Sequence, residues 1–207
     1  MYDGIILDID GTIWDSTEVV KDAWNRAFSE QGYDNTVTAQ DLKRLFGLPM
    51  NEIFRNIVPD ASDDDIDAFE PLCSKYEFEY LEREGGYVYP GMKETIETLS
   101  RDHKIAIVSN CQSGYIELVM RMTGIEPYII DHVCPGDTGM LKAGNIRLVA
   151  DRNNMNDPVY VGDIEKDEIA SRQAGVAFIH AAFGFGHGIS PDHTIMKFTD
   201  LLRIARL

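Results

Sequence analysis

The sequence predicts an α/β protein with a Rossmann-like parallel sheet and a helical domain inserted after the first strand. Three observations lead to this prediction. An apolar run at residues 5–7 ends in a turn that carries two aspartates. Residues 16–85 contain only helical patterns. From residue 86 onward, apolar strands alternate with amphipathic helices, as in parallel sheets covered by helices on both faces. We therefore expect a core domain formed by residues 1–15 and 86–207 and a helical domain formed by residues 16–85.

The first strand delivers Asp8 and Asp10 to the turn that follows it. Residues two apart on a strand share a face, so the two carboxylates are expected to lie close together. Both stay ionised only if a cation lies between them or one of them holds a proton. Gly11 permits a sharp turn, and Thr12 adds a hydroxyl beside the acids. The simpler alternative is a buried strand that ends in an acidic turn without a functional role.

The inserted segment is predicted to contain four helices, because its apolar residues recur at helical spacing. Asp15 or Ser16 is expected to cap the first helix, and Thr38 with Asp41 is expected to cap the second. Pro71 is expected to kink or restart the fourth helix. The four helices are predicted at residues 18–31, 38–46, 50–58 and 62–84.

The second part of the sequence predicts four more strands, with Val176 to His180 as the last. Gly124 and Gly175 close two of the intervening helices. The predicted strands are 104–109, 128–134, 158–163 and 176–180, and the predicted helices are 92–101, 113–123, 144–153, 165–174 and 198–207.

Polar side chains follow three of the predicted strands. Asp8 and Asp10 end the first, Ser109 and Asn110 end the second, and Asp163 ends a later one. Ligands in parallel sheets bind beyond the carboxyl ends of the strands, so these residues are expected to meet at one edge. The helical segment leaves the chain just after the first strand and is expected to cover that edge as a lid.

Less specific roles are also possible for these residues. Ser109 alone is compatible with a helix cap, and Asp163 after Gly162 with a simple turn. Glu165 and Glu168 are expected on a solvated helix face.

The overall charge restricts the classes of partner. The chain has 207 residues and a formal net charge of −16, which argues against nucleic acids and anionic membranes as partners.

The three cysteines of the sequence are odd in number and lack metal-ligand spacing, which favours a reduced, cytoplasmic protein. The sequence contains no apolar run of about 18 residues, so we predict no membrane-spanning helix. We expect a monomer or a weak homodimer.

The order of the motifs resembles that of the haloacid dehalogenase superfamily, in particular the phosphoglycolate-phosphatase-like members with a helical C1-type cap. Residues 8–12 match its first motif, Asp-x-Asp-Gly-Thr, and Ser109 matches the second. Lys142 matches the third, and residues 162–163 with Asp167 match the fourth. The resemblance covers essentially the whole chain. An ordinary surface lysine is the alternative for Lys142.

This resemblance implies a Mg²⁺-dependent phosphatase that hydrolyses a small phosphorylated metabolite through an aspartyl-phosphate intermediate. Asp8 would be the nucleophile, and Asp10 would act as general acid and base. Lys142 would offset the charge of the phosphoryl oxygens. The implied Mg²⁺ ligands are Asp8, the main-chain carbonyl of Asp10, and Asp163, with Asp167 orienting Lys142 or a metal-bound water. The implied phosphoryl-binding residues are Thr12, Ser109 and Asn110, and Arg44 lies in the cap segment where substrate contacts are first expected.

Three other interpretations remain open at this point. A sugar phosphomutase of the β-phosphoglucomutase type shares the cap and all four motifs. A non-catalytic phospho-acceptor similar to a response-regulator receiver combines acids, Mg²⁺, a Ser/Thr and a Lys on a parallel sheet, but it lacks the helical insertion. Cys111 is a potential nucleophile, although the sequence places no histidine partner beside it.

Overall fold

The structure is a computed structural model that describes residues 1–34 and 37–205. The chain forms two compact units. The first, the sheet unit, combines Met1–Asp15 with Val88–Leu207. The second, the helical unit, is the continuous segment Ser16–Tyr87.

The sheet unit contains a six-stranded sheet in the order β5-β4-β1-β6-β7-β8, and every neighbouring pair is parallel. The predicted α/β class is therefore confirmed. Two further short strands, β2 and β3, lie where the chain passes between the units. The strands are β1 Gly4–Leu7, β2 Trp14–Asp15, β3 Tyr87–Val88, β4 Lys104–Val108, β5 Asp131–Val133, β6 Pro158–Gly162, β7 Ala177–Ala181 and β8 His193–Ile195.

Strand β1 lies at the centre of this sheet. Gly4 is in register with Lys104 of β4 on one side and with Pro158 of β6 on the other. The chain builds the sheet outward from β1 in both directions, so the strand order reverses there. Such a reversal opens a crevice at the carboxyl ends of the strands, where α/β proteins bind ligands.

The described part of the helical unit contains four helices, and aromatic side chains from three of them pack on one another. Trp24, Phe28, Phe54 and Phe69 form a buried cluster, in which the Phe28 and Phe69 ring centroids are 5.0 Å apart. Burying these large rings accounts for much of the unit's hydrophobic stabilisation. The helices are α1 Thr17–Glu30, α2 Ala39–Leu45, α3 Met50–Ile57 and α4 Asp63–Glu84.

The capping predictions for this unit had different outcomes. Thr38 and Ser62 form capping boxes with Asp41 and Asp65, respectively, which confirms the predicted starts of α2 and α4. Ser16 precedes α1 but makes no side-chain cap bond, because its backbone is helical rather than extended. The predicted side-chain cap by Ser16 is therefore wrong, and the alternative cap by Asp15 stays a prediction.

Helix α4 continues through Pro71, so the predicted restart is wrong, whereas the predicted kink stays a prediction. A proline inside a helix loses one main-chain hydrogen bond and costs about 3 kcal/mol. Phe69 and Cys73, on either side of it, are fully buried. We attribute the continuity of the helix to this burial, which offsets the lost bond.

Six helices and two 3₁₀ turns complete the described part of the sheet unit. Residues from α8 and α9 pack with Ile6, Tyr160 and Phe178 of the sheet in one buried cluster. Among the described residues, no helix is both long enough and apolar enough to cross a membrane. The helices are α5 Met92–Leu99, α6 Tyr115–Thr123, α7 Pro135–Thr138, α8 Lys142–Arg152, α9 Glu165–Ala174 and α10 Leu201–Ile204, and the 3₁₀ turns are Glu126–Tyr128 and Phe198–Asp200.

Several predicted bounds in this unit need correction. The strand expected at 128–134 is shortened to β5 by the 3₁₀ turn before it. Helix α8 begins at Lys142, two residues earlier than expected. Strand β8 was not predicted, since its three residues form a strand only by pairing with β7. The last helical turn is shorter than the predicted helix at 198–207, of which residues 206 and 207 lie outside the described residues.

Candidate active site

The predicted site residues of the sheet unit lie at the carboxyl ends of adjacent strands. Asp8 directly follows β1, Ser109 directly follows β4, and Asp163 directly follows β6. Lys142 is the first residue of α8, and Asp167 lies in the first turn of α9. The parallel sheet therefore gathers residues that are far apart in the sequence.

Lys142 is buried at the centre of this group. Its Nζ lies 3.1 Å from Asp8 Oδ1 and 2.7 Å from Asp167 Oδ1. Burial alone would lower the pKa of Lys142, but the charges of Asp167 and Asp8 raise it above its usual value. Lys142 is thus a charged, paired cation, and the alternative of an ordinary surface lysine is wrong.

The two carboxylates that contact this lysine belong to a cluster of three. One oxygen each from Asp8, Asp163 and Asp167 lies within 4.8 Å of the others, and all three residues are buried. Burial raises the pKa of Asp163, and the nearby charges of Asp167 and Asp8 raise it further. Burial also raises the pKa of Asp8, although Lys142 opposes this effect. One ammonium group is therefore insufficient to balance three ionised acids.

This donor set fits a hard divalent cation. Mg²⁺ is held in proteins by one or two carboxylates, with water and phosphate completing its oxygen ligands. The raised pKa values of Asp8 and Asp163 mark a site that favours added positive charge. The carboxylates in this cluster include that of Asp167 and not that of Asp10.

Asp10 is held in a different environment. Its Oδ1 accepts a hydrogen bond from the Tyr115 hydroxyl at 3.0 Å, and that hydroxyl lies 3.3 Å from the donating indole nitrogen of Trp14. Trp14 and Tyr115 are both fully buried. The two aspartates of the first motif therefore differ in surroundings, one beside a lysine and the other beside a phenol.

The predicted phosphoryl-binding residues also lie on this edge. Ser109 is buried, and its hydroxyl is hydrogen-bonded to Asp8. Helix α6 begins after Gly114, so Ser109 does not cap it. Asn110, which is half-buried, follows Ser109 in the same loop. The Thr12 hydroxyl is fully buried and has no hydrogen-bond partner among the residues that the structure describes. A buried hydroxyl without a partner is costly, and a phosphoryl oxygen or a water would satisfy it.

Asp167 connects the lysine to the loop that carries Asp163. While Oδ1 pairs with Lys142, Oδ2 accepts hydrogen bonds from the main-chain N–H groups of Asp163 and Ile164 at 3.1 and 3.2 Å. One fully buried carboxylate thus fixes the position of the lysine and the start of helix α9.

The loop after β7 contacts Asp163 from the other side. The main-chain N–H of Phe185 donates to Asp163 Oδ2 at 2.6 Å. A Cβ at Gly184 would lie 2.3 Å from the Gly11 carbonyl oxygen and 2.4 Å from Asp163 Cβ. Only glycine allows this approach, so the loops after β1, β6 and β7 pack directly against one another.

Comparison with known proteins shows the family of this chain. A family model for haloacid dehalogenase-like hydrolases matches residues 5–181. The chain belongs to this family. The match includes all residues of the acid cluster and the whole helical unit.

Curated relatives of this hydrolase are similar along nearly their full length. The phosphoglycolate phosphatase of Vibrio parahaemolyticus is 25% identical over 97% of this chain and 94% of its own. The pyrophosphatase PpaX of Listeria monocytogenes is 27% identical over 98% of this chain and 95% of its own. A solved haloacid dehalogenase-like hydrolase from Streptococcus pneumoniae has the same fold, with a TM-score of 0.84, 19% identity and coverage of 98% of each chain.

Arg44 is the one predicted site residue of this hydrolase that belongs to the helical unit. Its guanidinium is paired with Asp41 in the same unit, and its side chain is 67% exposed. Both residues line a cavity of about 480 Å³ within that unit. Its role in substrate contact remains a prediction.

Two residues near the site were not recognised from the sequence of this hydrolase. Nothing in the sequence indicates a functional role for Tyr115, because a tyrosine in an amphipathic helix is usually a packing residue. Glu168 was assigned to a solvated face, but it is buried. Glu168 contacts the loop after β7, and its spacing in the sequence does not reveal this contact. Glu165 is exposed as predicted.

The structure also argues against Cys111 as a nucleophile. Burial raises the pKa of its thiol well above the usual value, and a hydrogen bond with Cys134 and the nearby aspartates raise it further. A thiol that stays protonated is a weak nucleophile.

Proposed function

We propose that this hydrolase is a Mg²⁺-dependent phosphatase that acts on a small phosphorylated metabolite through an aspartyl-phosphate on Asp8. The observation that carries the proposal is the different environment of the two acids in the first motif. Asp8 contacts Lys142, whereas Asp10 is held by Tyr115 outside the carboxylate cluster. One acid is therefore suited to nucleophilic attack and the other to proton transfer.

Each step uses groups of this chain. An Asp8 carboxylate oxygen attacks phosphorus, while Asp10 gives a proton to the departing substrate oxygen. Asp10 then removes a proton from water, which attacks the phosphorus of the aspartyl-phosphate, and phosphate leaves with restoration of Asp8. Tyr115 fixes one oxygen of Asp10 and so orients the carboxyl group for both transfers.

Other residues bind the phosphoryl group. Thr12, Ser109 and the main chain near Asn110 would donate hydrogen bonds to its oxygens, and Lys142 would offset their charge. The donor set for Mg²⁺ would comprise Asp8, Asp163 and the Asp10 main-chain carbonyl, with Asp167 as an orienting partner. When bound, Mg²⁺ supplies positive charge that stabilises the transferring phosphoryl group.

The helical unit is proposed to act as a cap that selects the substrate, with Arg44 as a candidate contact. The printed names of the relatives, phosphoglycolate phosphatase and pyrophosphatase, support hydrolysis of a phosphate ester or anhydride. We further propose a monomer or weak homodimer in the cytoplasm, in keeping with three free cysteines.

The test is phosphate release from a panel of phosphomonoesters and pyrophosphate, with Mg²⁺ or with EDTA. We expect release with Mg²⁺ and none with EDTA. The Asp8→Asn variant is expected to fold, by circular dichroism, but to release no phosphate. Activity in that variant, or activity that survives EDTA, would contradict the mechanism.

The same panel separates the phosphomutase alternative. A mutase would isomerise a sugar phosphate only when a sugar bisphosphate activator is present, and it would release little phosphate. Phosphate release without an activator supports hydrolysis.

A further inference from the structure

We propose that Glu168 is a positioning residue that holds the loop after β7, residues 183–190, against Asp163 and thereby supports divalent-cation binding. The inference rests on the proposed function only in taking Asp163 as a metal ligand. It assigns a role to a buried carboxylate that the proposed reaction does not use.

Glu168 is buried although it carries a charge. Its side chain is 5% exposed, and its nearest cation, Arg172, is 3.8 Å away. A buried carboxylate is costly unless hydrogen bonds compensate it. The compensation comes from main-chain N–H groups in the loop after β7.

These hydrogen bonds anchor the far end of the loop. The N–H of Ile189 donates to Glu168 Oε2 at 2.7 Å, and the N–H of Ser190 donates to Oε1 at 3.0 Å. A Cβ at Gly188 would lie 3.1 Å from Oε2, so the loop main chain passes close to the carboxylate. Charge-assisted bonds of this kind are stronger than those between neutral groups.

The near end of the same loop contacts the metal-binding acid. Phe185 donates its N–H to Asp163 Oδ2, and Gly184 packs against both Asp163 and Gly11. The loop is therefore held at one end by Glu168 and holds Asp163 at the other.

Consecutive residues of α9 thus fix Asp163 in two ways. Asp167 accepts the main-chain N–H of Asp163 directly, and Glu168 anchors the loop that binds its side chain. His180 adds a third contact, because its Nε2 lies 3.2 Å from the Asp163 carbonyl oxygen. Partners that orient a metal ligand in this way typically change metal affinity by about 10–100-fold when they are removed.

The test compares Glu168→Gln with Glu165→Gln. Both changes remove one negative charge from the first turn of α9, but Glu165 is exposed. The readouts are the Mg²⁺ concentration that gives half of the maximal rise in melting temperature, and amide hydrogen exchange in residues 183–190. Neither measurement requires a substrate.

We expect Glu168→Gln to require about tenfold more Mg²⁺ and to exchange faster in residues 183–190, because glutamine offers one acceptor oxygen in place of two. Glu165→Gln should behave as the unmodified protein. Unchanged exchange in Glu168→Gln would show that Glu168 does not anchor the loop, and faster exchange with unchanged Mg²⁺ dependence would show that the loop does not support the metal. Either result overturns the proposal.

A measurement on the unmodified protein keeps the inference testable if Glu168→Gln fails to fold. Mg²⁺ should slow amide exchange at Phe185, Ile189 and Ser190 together, since the loop couples them. No change at these amides would overturn the inference. A protein that passes these tests but releases no phosphate would contradict the proposed function alone.

Discussion

At the scale of single residues, Lys142 is the group that allows several acids to be buried together. It contacts Asp8 and Asp167 directly, and these charges keep it protonated despite its burial. Removing one partner of a buried ion pair leaves the other charge uncompensated, which typically costs about 3–5 kcal/mol.

Lys142→Met is therefore expected to lower the free energy of unfolding in EDTA by about 3–5 kcal/mol, because methionine fills the space but leaves Asp8 and Asp167 unpaired. Urea denaturation measures this change. The control is Lys166→Met, which alters an exposed lysine and should leave stability nearly unchanged. Equal stability of the two variants would mean that Lys142 does not balance the cluster.

The sequence identified most of the residues that the sheet brings together, because acids and hydroxyls directly follow apolar strands. It did not identify Tyr115 or Glu168. Their contacts depend on side-chain burial after the chain has folded, and both residue types are common on ordinary helices. The roles of Tyr115 and Glu168 become apparent only in the folded structure, where Asp10 and the loop after β7 lie beside them.

At the scale of elements, the site depends on loops that approach one another without side chains between them. Gly11 has a φ of +83°, and a Cβ there would lie 2.0 Å from Asp163 Oδ2. The turn after β1 therefore needs glycine both for its backbone conformation and for the space that Asp163 occupies.

Gly11→Ala is expected to abolish both the Mg²⁺-dependent rise in melting temperature and phosphate release, since the new methyl group displaces Asp163. Gly32→Ala is a matched control, because Gly32 has a φ of +80° but no atom within 4 Å of an added Cβ. The control should lose only about 1–2 kcal/mol of stability from backbone strain. Similar behaviour in the two variants would show that strain, and not displacement of Asp163, is the cause.

Hydrophobic periodicity predicted most of the elements, but not all of their limits. Long apolar strands such as β4 and β6 and capped helices such as α2 carry strong local signals. Strand β8 has three residues and is defined by its neighbour β7. Pro71 lies inside α4 without ending it, so the restart that local rules allow at a proline does not occur there.

At the scale of the whole molecule, the acidity of the chain bears on the proposed binding of Mg²⁺. The chain has 35 acidic and 19 basic residues, and the buried Asp8 and Asp163 have raised pKa values. A group whose pKa is raised by folding contributes stability below its unfolded-state pKa, and this contribution is lost as the pH rises through the folded-state pKa. The metal-free protein therefore loses this contribution as the pH increases.

We expect the rise in melting temperature caused by Mg²⁺ to be larger at pH 8 than at pH 5. At low pH the protonated acids bind the cation poorly, and at high pH the cation relieves the repulsion between ionised carboxylates. Scanning calorimetry with Mg²⁺ and with EDTA at several pH values measures this difference.

Asp163→Asn is the control for this pH dependence, because asparagine keeps the shape of the side chain but does not titrate. The variant should gain less from Mg²⁺ and should show a weaker change with pH. A rise caused by Mg²⁺ that is equal at pH 5 and pH 8 in the unmodified protein would contradict the link between these carboxylates and the cation.

The central position of β1 has a consequence for synthesis on the ribosome. This strand emerges before its neighbours β4 and β6, which begin only at Lys104 and Pro158. The continuous segment Ser16–Tyr87 can fold around its own aromatic core before the strands that pair with β1 have been synthesised. The nascent polypeptide must therefore keep an apolar strand from aggregating until at least one of these two neighbours has been synthesised.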